Sequence, residues 1–327
     1  MSASAELTAV ARTLQAAKKV VVACHEAPDG DAIGSLIGCG TALRRGGWDT
    51  VLWAPGDTPL PADYAWLGYD DVARMPPADL SERVLLALDC GSAERLGVDG
   101  LAALTTADAT INVDHHSDNT QFANINLVDA TAPCASILVL RLLRLLGLPI
   151  TPAVATALYV GIVTDTGRFQ FANATAESHT EAAALIDAGV AVDEVFRNLY
   201  EGKPAARILL LGRALSTLQV RQNGRLAVVC LTIADLDATG AQESDSEGII
   251  DHLRAIAGIE VAAVIRAPRS GAGLVQKCSL RSAQPSINVA DIAHAAGGGG
   301  HPLAAGFALT GTADDVIALI EQELACD

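Results

Sequence analysis

Acidic and imidazole side chains follow three short apolar runs of this sequence, at the point where each run ends. The runs are Val20–Ala23, Val84–Leu88 and Thr110–Val113, and their β-branched and aliphatic residues predict buried strands. Because the carboxyl ends of parallel strands form one crevice, we expect the side chains behind them to meet there. Asp165 follows the helical pattern Val154–Val163, from whose end it can reach the same crevice. The candidate residues are His25, Asp29, Asp31, Asp89, Asp114, His115, His116 and Asp165.

This set of side chains is typical of a site for two divalent cations. Carboxylates placed close together raise each other's pKa unless cations lie among them. Two imidazoles with four carboxylates suit Mn²⁺ or Mg²⁺, and the absence of a C-x-x-C pair disfavours a thiolate zinc site. Two such ions about 3.5 to 4 Å apart activate a bridging water and neutralise phosphate oxygens in phosphoester hydrolysis. The predicted ligands of two Mn²⁺ ions, with Mg²⁺ as the alternative, are His25, Asp29, Asp31, Asp89, His115 and Asp165.

Each of these signals has an ordinary structural interpretation when it is taken alone. Asp-x-Asp is common in turns and helix caps, and an Asp behind a strand often caps the next helix. The metal interpretation is favoured because three of the four signals fall directly behind predicted parallel strands.

The elements that must position these residues alternate along the first half of the chain. Strand patterns, including Thr50–Trp53, alternate with helical patterns such as Ala32–Arg45 and Ala135–Leu146, which end at glycine. Such alternation predicts βαβ units, and therefore an α/β fold with a doubly wound parallel sheet.

The second half of the chain has a different pattern, which predicts a smaller α+β domain. A helix is expected at Ile208–Leu218. Before it, a helical pattern runs over Glu177–Leu199 with a break at Gly189, and the polar, helix-breaking stretch Glu201–Pro204 follows, so we place a linker in this region. The predicted strands are Leu226–Ile233, Val261–Ile265 and Leu274–Leu280. The predicted divisions are residues 1–189, a linker at 190–203 and residues 204–327.

Composition excludes several classes of protein. With 22 basic and 38 acidic residues and a net charge of -16, the chain is poorly suited to binding long duplex nucleic acid. No segment reaches the ~20 apolar residues of a membrane span, and Met1–Ala17 lacks the pattern of a signal peptide. Seven cysteines without a C-x-x-C motif are typical of reduced thiols. We expect a soluble cytoplasmic protein without a membrane partner.

A glycine run near the carboxyl end, Gly297–Gly300, is a candidate anion site. Successive glycines let backbone N–H groups converge on an anion, and His301 adds a side-chain donor; a flexible tether is the alternative. Between Arg254 and Ala290 the only acidic residue is Glu260, so the segment can draw a small polyanion toward it. Its basic residues are Arg254, Arg266, Arg269, Lys277 and Arg281.

Together these motifs resemble those of the DHH phosphoesterases. The resemblance is carried by His25-x-x-x-Asp29-x-Asp31, Leu88-Asp89-Cys90-Gly91-Ser92, Asp114-His115-His116 and Thr164-Asp165-Thr166-Gly167. The stretch Gly297–Phe307 is similar to the signature of the DHHA1 domain, which follows in one branch of the family. Order and spacing match over essentially the whole chain. Within the family, the similarity is greatest to the bifunctional type that degrades very short RNA (nanoRNA) and dephosphorylates 3′-phosphoadenosine-5′-phosphate (pAp).

The resemblance implies a role for each matching residue. It implies that one ion is bound by His25, Asp29 and Asp89, and the second by Asp31, Asp89, His115 and Asp165, with Asp89 shared. It also implies catalytic roles for His116, which faces the phosphate or supports the ligands, and for Asp114, which orients the histidines. The implied substrate-binding residues are Arg281, Ser282, Gly298, Gly299, Gly300 and His301. A homodimer is implied by the resemblance alone.

The expected function is Mn²⁺-dependent hydrolysis of short RNA or DNA oligonucleotides to mononucleotides, and of pAp to AMP. Two alternatives stay open: a phosphodiesterase for cyclic dinucleotides such as c-di-AMP or for linear pApA, and a catalytically silent protein that senses nucleotides. Arg168, just behind Asp165, either contacts the substrate or is structural.

Overall fold

The structure, a computed structural model, describes residues 3–267, 275–284 and 286–325 of the chain. It divides into two compact units, Met1–Gly202 and Lys203–Asp327. Arg269 of the predicted basic segment, Cys326 and the first residue of the predicted strand Leu274–Leu280 lie outside the described residues.

Five parallel strands form the sheet of the first unit, in the order β2-β1-β3-β4-β5. They are β1 (Lys19–Ala23), β2 (Asp49–Trp53), β3 (Val84–Leu88), β4 (Ala109–Asp114) and β5 (Ile125–Val128). Successive side chains of a strand point to opposite faces. In β1, Val20 and Val22 therefore enter the core on one face, whereas Val21 and Ala23 enter the core on the other. The prediction of a doubly wound parallel sheet is confirmed.

Seven helices flank this sheet in the described part of the first unit. They are α1 (Ala3–Ala17), α2 (Gly30–Arg45), α3 (Gly97–Thr106), α4 (Ala135–Leu145), α5 (Pro152–Asp165), α6 (Ala176–Asp187) and α7 (Val192–Tyr200). The backbones of α2 and α5 approach closely, because a Cβ on Gly34 would lie 2.4 Å from the carbonyl oxygen of Ala157. This close packing brings the start of α2 to the end of α5, where Asp31 and Asp165 stand.

The segment predicted as a linker, 190–203, is helical over most of its length. Helix α7 occupies nine of these residues, and its Val195 and Leu199 are buried in the core of the first unit. The break at Gly189 therefore ends α6 and not the first domain. The boundary between the units lies farther along the chain, between Gly202 and Lys203.

The second unit is built on a mixed sheet in the order β10-β11-β9-β8-β7-β6. Its strands are β6 (Gln219–Arg221), β7 (Leu226–Leu231), β8 (Val261–Arg266), β9 (Val275–Ser282), β10 (Gly299–His301) and β11 (Ala304–Thr310). Its helices are α8 (Ala205–Ser216), α9 (Ile233–Thr239), α10 (Ile249–Arg254), α11 (Val289–Ala295) and α12 (Ala313–Ala325). Residues of α11 and α12 join the core on one face of the sheet, and residues of α8, α9 and α10 join the core on the other.

One predicted strand of this unit, Leu226–Ile233, ends earlier than expected. The strand stops at Leu231 because Thr232 caps helix α9, its side chain accepting a hydrogen bond from the backbone N–H of Asp235. A threonine with an acidic residue three positions later is a typical helix start.

The thiols and the helices of the described residues bear on two expectations from composition. The cysteines in that part of the chain are all free thiols. No helix of the described ranges has both the length and the apolar character that crossing a bilayer requires.

Candidate metal centre

The first group of candidate ligands lies where β1 and β3 end, side by side in the sheet. The ligand atoms of His25, Asp29 and Asp89 are all within 4.8 Å of one another. His25 Nε2 is 4.0 Å from Asp29 Oδ1 and 3.8 Å from Asp89 Oδ2. The structure therefore brings together the three residues that were predicted to share one ion.

A second group joins the end of β4 to helices α2 and α5. The ligand atoms of Asp31, His115 and Asp165 also lie within 4.8 Å of one another. His115 Nε2 is 3.9 Å from Asp165 Oδ2 and 3.4 Å from Asp89 Oδ1. Asp89 thus lies beside both groups, the position that a shared ligand requires.

Asp89 has the features of a residue held in place for a ligand. Its φ of 59° is in the left-handed region, which an aspartate tolerates better than most residues. Its backbone N–H donates to the carbonyl of Val113 at 3.0 Å, and the side chain is 3% exposed. Oδ1 is buried without a hydrogen-bond partner, an arrangement that destabilises the fold unless a cation compensates it. The donor set and this oxygen fit divalent metal ions.

The electrostatics of the cluster lead to the same conclusion. Burial raises the pKa of Asp89 well above its usual range, and the nearby carboxylates of Asp31 and Asp29 raise it further. Burial, followed by the charge of Asp31, raises the pKa of Asp165 to about 8. Burial lowers the pKa of His25, which favours the neutral ring that metal binding needs. Protons or cations must therefore neutralise the carboxylates, and divalent cations do so while leaving the oxygens as ligands.

Asp31 is oriented by the start of helix α4. Its carboxylate accepts hydrogen bonds from the backbone N–H groups of Ala135 at 2.6 Å and Ser136 at 3.0 Å. A helix N-terminus stabilises a negative charge, so this contact offsets part of the cost of burial. Gly161 of α5 makes room for it, because a Cβ there would lie 2.6 Å from Asp31 Oδ1.

Asn173 orients Asp165, a role that the sequence did not indicate. Its Nδ2 lies 3.1 Å from Asp165 Oδ2, 3.1 Å from the carbonyl of Asp165 and 3.0 Å from the carbonyl of Pro133. No local motif distinguishes this asparagine, since its partners lie eight and 40 positions away along the chain.

The ring of His25 is fixed by the backbone. Its Nδ1 lies 2.7 Å from the carbonyl oxygen of Glu26, so we assign the ring proton to Nδ1. That assignment leaves Nε2 free to act as a ligand toward Asp29 and Asp89.

Asp114 and His116 form a hydrogen-bonded pair that adjoins the cluster, since the ligand atoms of His116, Asp89 and His115 also lie within 4.8 Å of one another. His116 Nδ1 lies 2.8 Å from Asp114 Oδ1, and Asn119 donates to Asp114 Oδ2 at 2.6 Å. The bond to Asp114 raises the pKa of His116. Burial alone would raise the pKa of Asp114, but the bonds from His116 and Asn119 outweigh it and the pKa is lowered. The described contacts join Asp114 to His116 and not to His115, and Asn119 is a further residue that the sequence did not indicate.

Arg168 packs within the first unit. Its guanidinium lies over the ring of Tyr200, 4.8 Å from the ring centroid, and its φ of 63° places it in a tight turn behind Asp165. The next residue, Phe169, stacks on His179. These contacts give Arg168 a structural role in the turn.

The predicted substrate residues of the second unit lie around β9 and the hairpin of β10 and β11. His301 is in register with Ala304, which is in register with Arg281, so these positions form one row across three strands. Ser282 faces the other way: it is buried, and its hydroxyl donates to the carbonyl of Gln284. The structure therefore does not bring the Ser282 hydroxyl to the face that carries Arg281.

The glycine run owes its composition to close packing within the hairpin. A Cβ on Gly298 would lie 2.3 Å from the carbonyl oxygen of Gly306, and one on Gly300 would lie 2.5 Å from Ala305 Cα. Gly299 pairs directly with Gly306 in the ladder. The tether interpretation does not apply to Gly299 and Gly300, because they form strand β10.

Comparison with known proteins identifies the family. The model of the DHH family, N-terminal domain, matches residues 19–162, and that of the DHHA1 domain matches residues 223–325. A Thermus thermophilus protein named bifunctional oligoribonuclease and PAP phosphatase NrnA is 33% identical over 92% of this chain and 88% of its own length. The chain belongs to the DHH family. This DHH protein carries its DHHA1 domain within the second unit, and the predictions of family, fold class and enzyme class are confirmed.

Other relatives of this DHH protein extend over most of its length. A Bacillus subtilis protein of the same name is 28% identical over 96% of this chain and 97% of its own length. The crystal structure of an exopolyphosphatase-related protein from Bacteroides fragilis superposes with a TM-score of 0.89 at 24% identity, covering 98% of this chain and 96% of that one. At that identity, the likeness establishes the shared fold.

Proposed function

We propose that this DHH protein hydrolyses short oligoribonucleotides to mononucleotides and pAp to AMP, using two divalent metal ions held by its first unit. The observation that carries the proposal is the meeting of two ligand groups at Asp89, whose buried Oδ1 has no hydrogen-bond partner. Relatives that match nearly the whole chain are named bifunctional oligoribonuclease and PAP phosphatase, which supports this substrate class.

The proposed ligands of one ion are His25, Asp29 and Asp89. Those of the other are Asp31, His115 and Asp165, with Asp89 shared. When bound, such a pair of ions lowers the pKa of a water and neutralises charge on phosphate oxygens. A donor set of imidazole and carboxylate without thiolate favours Mn²⁺, with Mg²⁺ as the alternative.

The protein's own groups complete the site. The Nδ1 of His116 is bound to Asp114, so its Nε2 is left to interact with a ligand. The His116 side chain is 42% exposed and therefore accessible to one. Because Asp114 favours the protonated ring, His116 can donate a charge-assisted hydrogen bond to a phosphate oxygen as negative charge develops there. Asn119 keeps Asp114 in position by binding its second oxygen.

In the second unit, we propose that Arg281 and the hairpin containing Gly298, Gly299, Gly300 and His301 bind the nucleotide. Arg281 is half-buried and makes no ion pair among the described residues. Its Nη1 donates to the carbonyl of Leu280, and the other N–H groups of the guanidinium can donate hydrogen bonds to a phosphate. For Ser282, which is buried and bonded to Gln284, only the backbone remains available for this role.

A substrate panel tests the proposal. The metal-loaded protein is assayed with pAp, linear di- to pentanucleotides, cyclic dinucleotides and pyrophosphate, each with Mn²⁺ and with Mg²⁺. We expect turnover of the linear oligonucleotides and of pAp, and loss of both activities in Asp114→Asn, with metal content unchanged. Cleavage restricted to cyclic dinucleotides would contradict the proposed substrate, and binding of nucleotides without any turnover would identify a sensor.

A further inference from the structure

The second unit presents basic side chains along one face of its sheet. In the antiparallel pair of β8 and β9, Arg266 lies opposite Lys277. Residues that oppose each other share a face, and so do alternate residues of one strand. Arg266, Lys277, Ser279 and Arg281 therefore line the same face, and we call these four residues the β9 track.

The neighbouring strand, β11, adds only small residues to that face. The positions in register with Lys277, Ser279 and Arg281 are Ala308, Gly306 and Ala304, respectively. All three are exposed or half-buried, whereas Ala305 and Phe307 between them are buried on the opposite face. The β9 track is thus bordered by a shallow, open surface without bulky side chains.

Arg266 is anchored by neutral groups. Its Nη1 donates to Ser246 Oγ at 2.9 Å and its Nη2 to Ser279 Oγ at 2.6 Å, while its Nε is buried without a partner. These contacts fix the guanidinium but do not neutralise its charge. Beside it is a cavity of about 130 Å³, lined by Leu231, Leu236, Glu243, Ser246, Arg266, Ala267 and Lys277.

Two other arginines of the same unit are neutralised by carboxylates of the protein. Arg213 pairs with Asp235 at 3.3 Å, and Arg225 pairs with Glu260. Within the described part of the unit, the three cations of the β9 track make no ion pair, although the chain carries a net charge of -16. Glu243 is the one carboxylate among the residues that line the cavity. The same face carries Ala262 and Val264 of β8, which are buried with residues of α8, α9 and α10, so the β9 track follows the border of this helical layer and is open on the side of β11. Positive charge without an ion pair at such a border of an acidic protein indicates a polyanionic ligand.

We propose that the β9 track binds backbone phosphates of a single-stranded oligonucleotide beyond the one held at Arg281. Arg281 is four steps along the strand from Lys277, a span of about 13 Å, so Lys277 and Arg266 bind a phosphate farther along the oligonucleotide. This inference rests on the proposed function and specifies its substrate class: affinity rises with oligonucleotide length, because a mononucleotide such as pAp reaches only one end of the track.

The main test uses Lys277→Gln, an exposed position whose replacement leaves the fold intact. The matched control is Arg221→Gln on the edge strand β6, where the arginine is exposed and contacts Gln219. Binding of labelled phosphorothioate di- to pentanucleotides, which resist hydrolysis, is measured by fluorescence anisotropy with the metal-loaded protein at several salt concentrations. Turnover of pAp and of a tetranucleotide is measured in parallel.

We expect Lys277→Gln to weaken tetranucleotide binding about tenfold, as expected for loss of a charged hydrogen bond. The slope of log affinity against log salt should fall by about 0.7, the contribution of one phosphate contact on a single strand. The ratio of kcat/KM for the tetranucleotide to that for pAp should fall about tenfold. Arg266→Lys, which keeps the charge, should lose less than Lys277→Gln, and Arg221→Gln should match the wild type.

Equal losses for pAp and the tetranucleotide, an unchanged salt slope, or an equal effect of Arg221→Gln would each overturn the proposal. The two proposals fail separately. If the wild type turns over neither pAp nor oligonucleotides, the proposed function is wrong, while the binding series still decides whether the β9 track recognises oligonucleotide length.

Discussion

In the first unit the candidate functional charges are buried carboxylates gathered behind strand ends, whereas in the second they are unpaired cations along the border of a sheet face that helices cover only in part. Asp31 and Asp89 are almost fully buried, and Asp89 lacks a partner for one oxygen. Lys277 is exposed, and Arg266 is bound only by hydroxyls. A buried charge destabilises the protein unless a counter-ion compensates it, so buried carboxylates favour tight binding of a metal ion. An exposed charge costs little and favours reversible contacts with a ligand. This contrast agrees with the roles that we propose for the two units, chemistry for the first and recognition for the second.

The largest effect is expected at Asp89. Asp89→Asn removes the charge next to both ligand groups, so we expect activity to fall by at least ~10³-fold, about 4 kcal/mol in the barrier, together with a lower metal content. Elemental analysis and turnover of a dinucleotide measure both. The matched control is Asp118→Asn, an exposed carboxylate near the same sheet edge, which should keep both ions and full activity. An Asp89→Asn protein within tenfold of wild-type activity would remove Asp89 from the centre of the site.

An intermediate effect on stability and metal binding is expected at Gly161, where helix α5 packs against the metal ligand Asp31 that we propose. Gly161→Ala would place a Cβ 1.9 Å from Ser136 Oγ and 2.6 Å from Asp31 Oδ1. We expect it to lower the free energy of unfolding by roughly 1 to 3 kcal/mol and to weaken metal binding, because Asp31 must move. Thermal unfolding and metal titration measure these effects.

The control for that substitution is Gly212→Ala in helix α8 of the second unit, where a Cβ would meet nothing within 4 Å. Removing a helical glycine there should stabilise the protein by up to ~1 kcal/mol and leave metal binding unchanged. If Gly161→Ala and Gly212→Ala have the same effect on stability and metal binding, close packing at Gly161 does not control the geometry of the metal centre.

The smallest effect on stability is expected from breaking an ion pair of Arg141, which, unlike the cations of the β9 track, is paired within the protein. Arg141 donates to Asp129 at 2.9 Å and to Glu177 at 3.1 Å. Burial would raise the pKa of Asp129, but bonds from Thr131 and Arg141 outweigh it and lower the pKa. A lowered pKa stabilises the fold above the ordinary aspartate value of about 3.9, and this stabilisation is lost as the pH falls through the lowered value.

We therefore expect Asp129→Asn to cost about 1 kcal/mol of unfolding free energy at pH 7, and this cost to shrink as the pH falls below the ordinary aspartate value of about 3.9. Urea unfolding at several pH values measures the difference. Asp193→Asn, which breaks the exposed pair with Arg197, should cost less than ~0.5 kcal/mol at any pH. A pH-independent loss in Asp129→Asn would show that packing and not the ion pair is responsible.

Much of the candidate site follows from local sequence. His25, Asp89 and His115 stand directly behind hydrophobic runs that could only be buried strands, and parallel strands end at one edge. The strands β5, β6 and β10 were not predicted, because three or four residues carry too little periodicity to reveal a strand. Strand β11 was not predicted either, because its seven residues include three alanines and a glycine and show no clear alternation of apolar and polar side chains. Helix α7 was taken as a linker since polar, helix-breaking residues follow it.

The local sequence was enough to identify the candidate ligands that the structure brings together, because the type and spacing of a ligand are local properties of a strand end. Only the tertiary structure decided what holds them: Asn173 on Asp165, Asn119 on Asp114, and the start of α4 on Asp31, more than 100 positions away. That Arg281 and Ser282 serve opposite faces follows from strand alternation once β9 is known to extend to Ser282. The contacts of Asn119 and Asn173 span only five and eight positions, but they depend on the fold of irregular loops, which have no periodicity to reveal them. The contact of α4 with Asp31 depends on packing between segments that are distant in the chain, and such packing leaves no signal in the residues themselves.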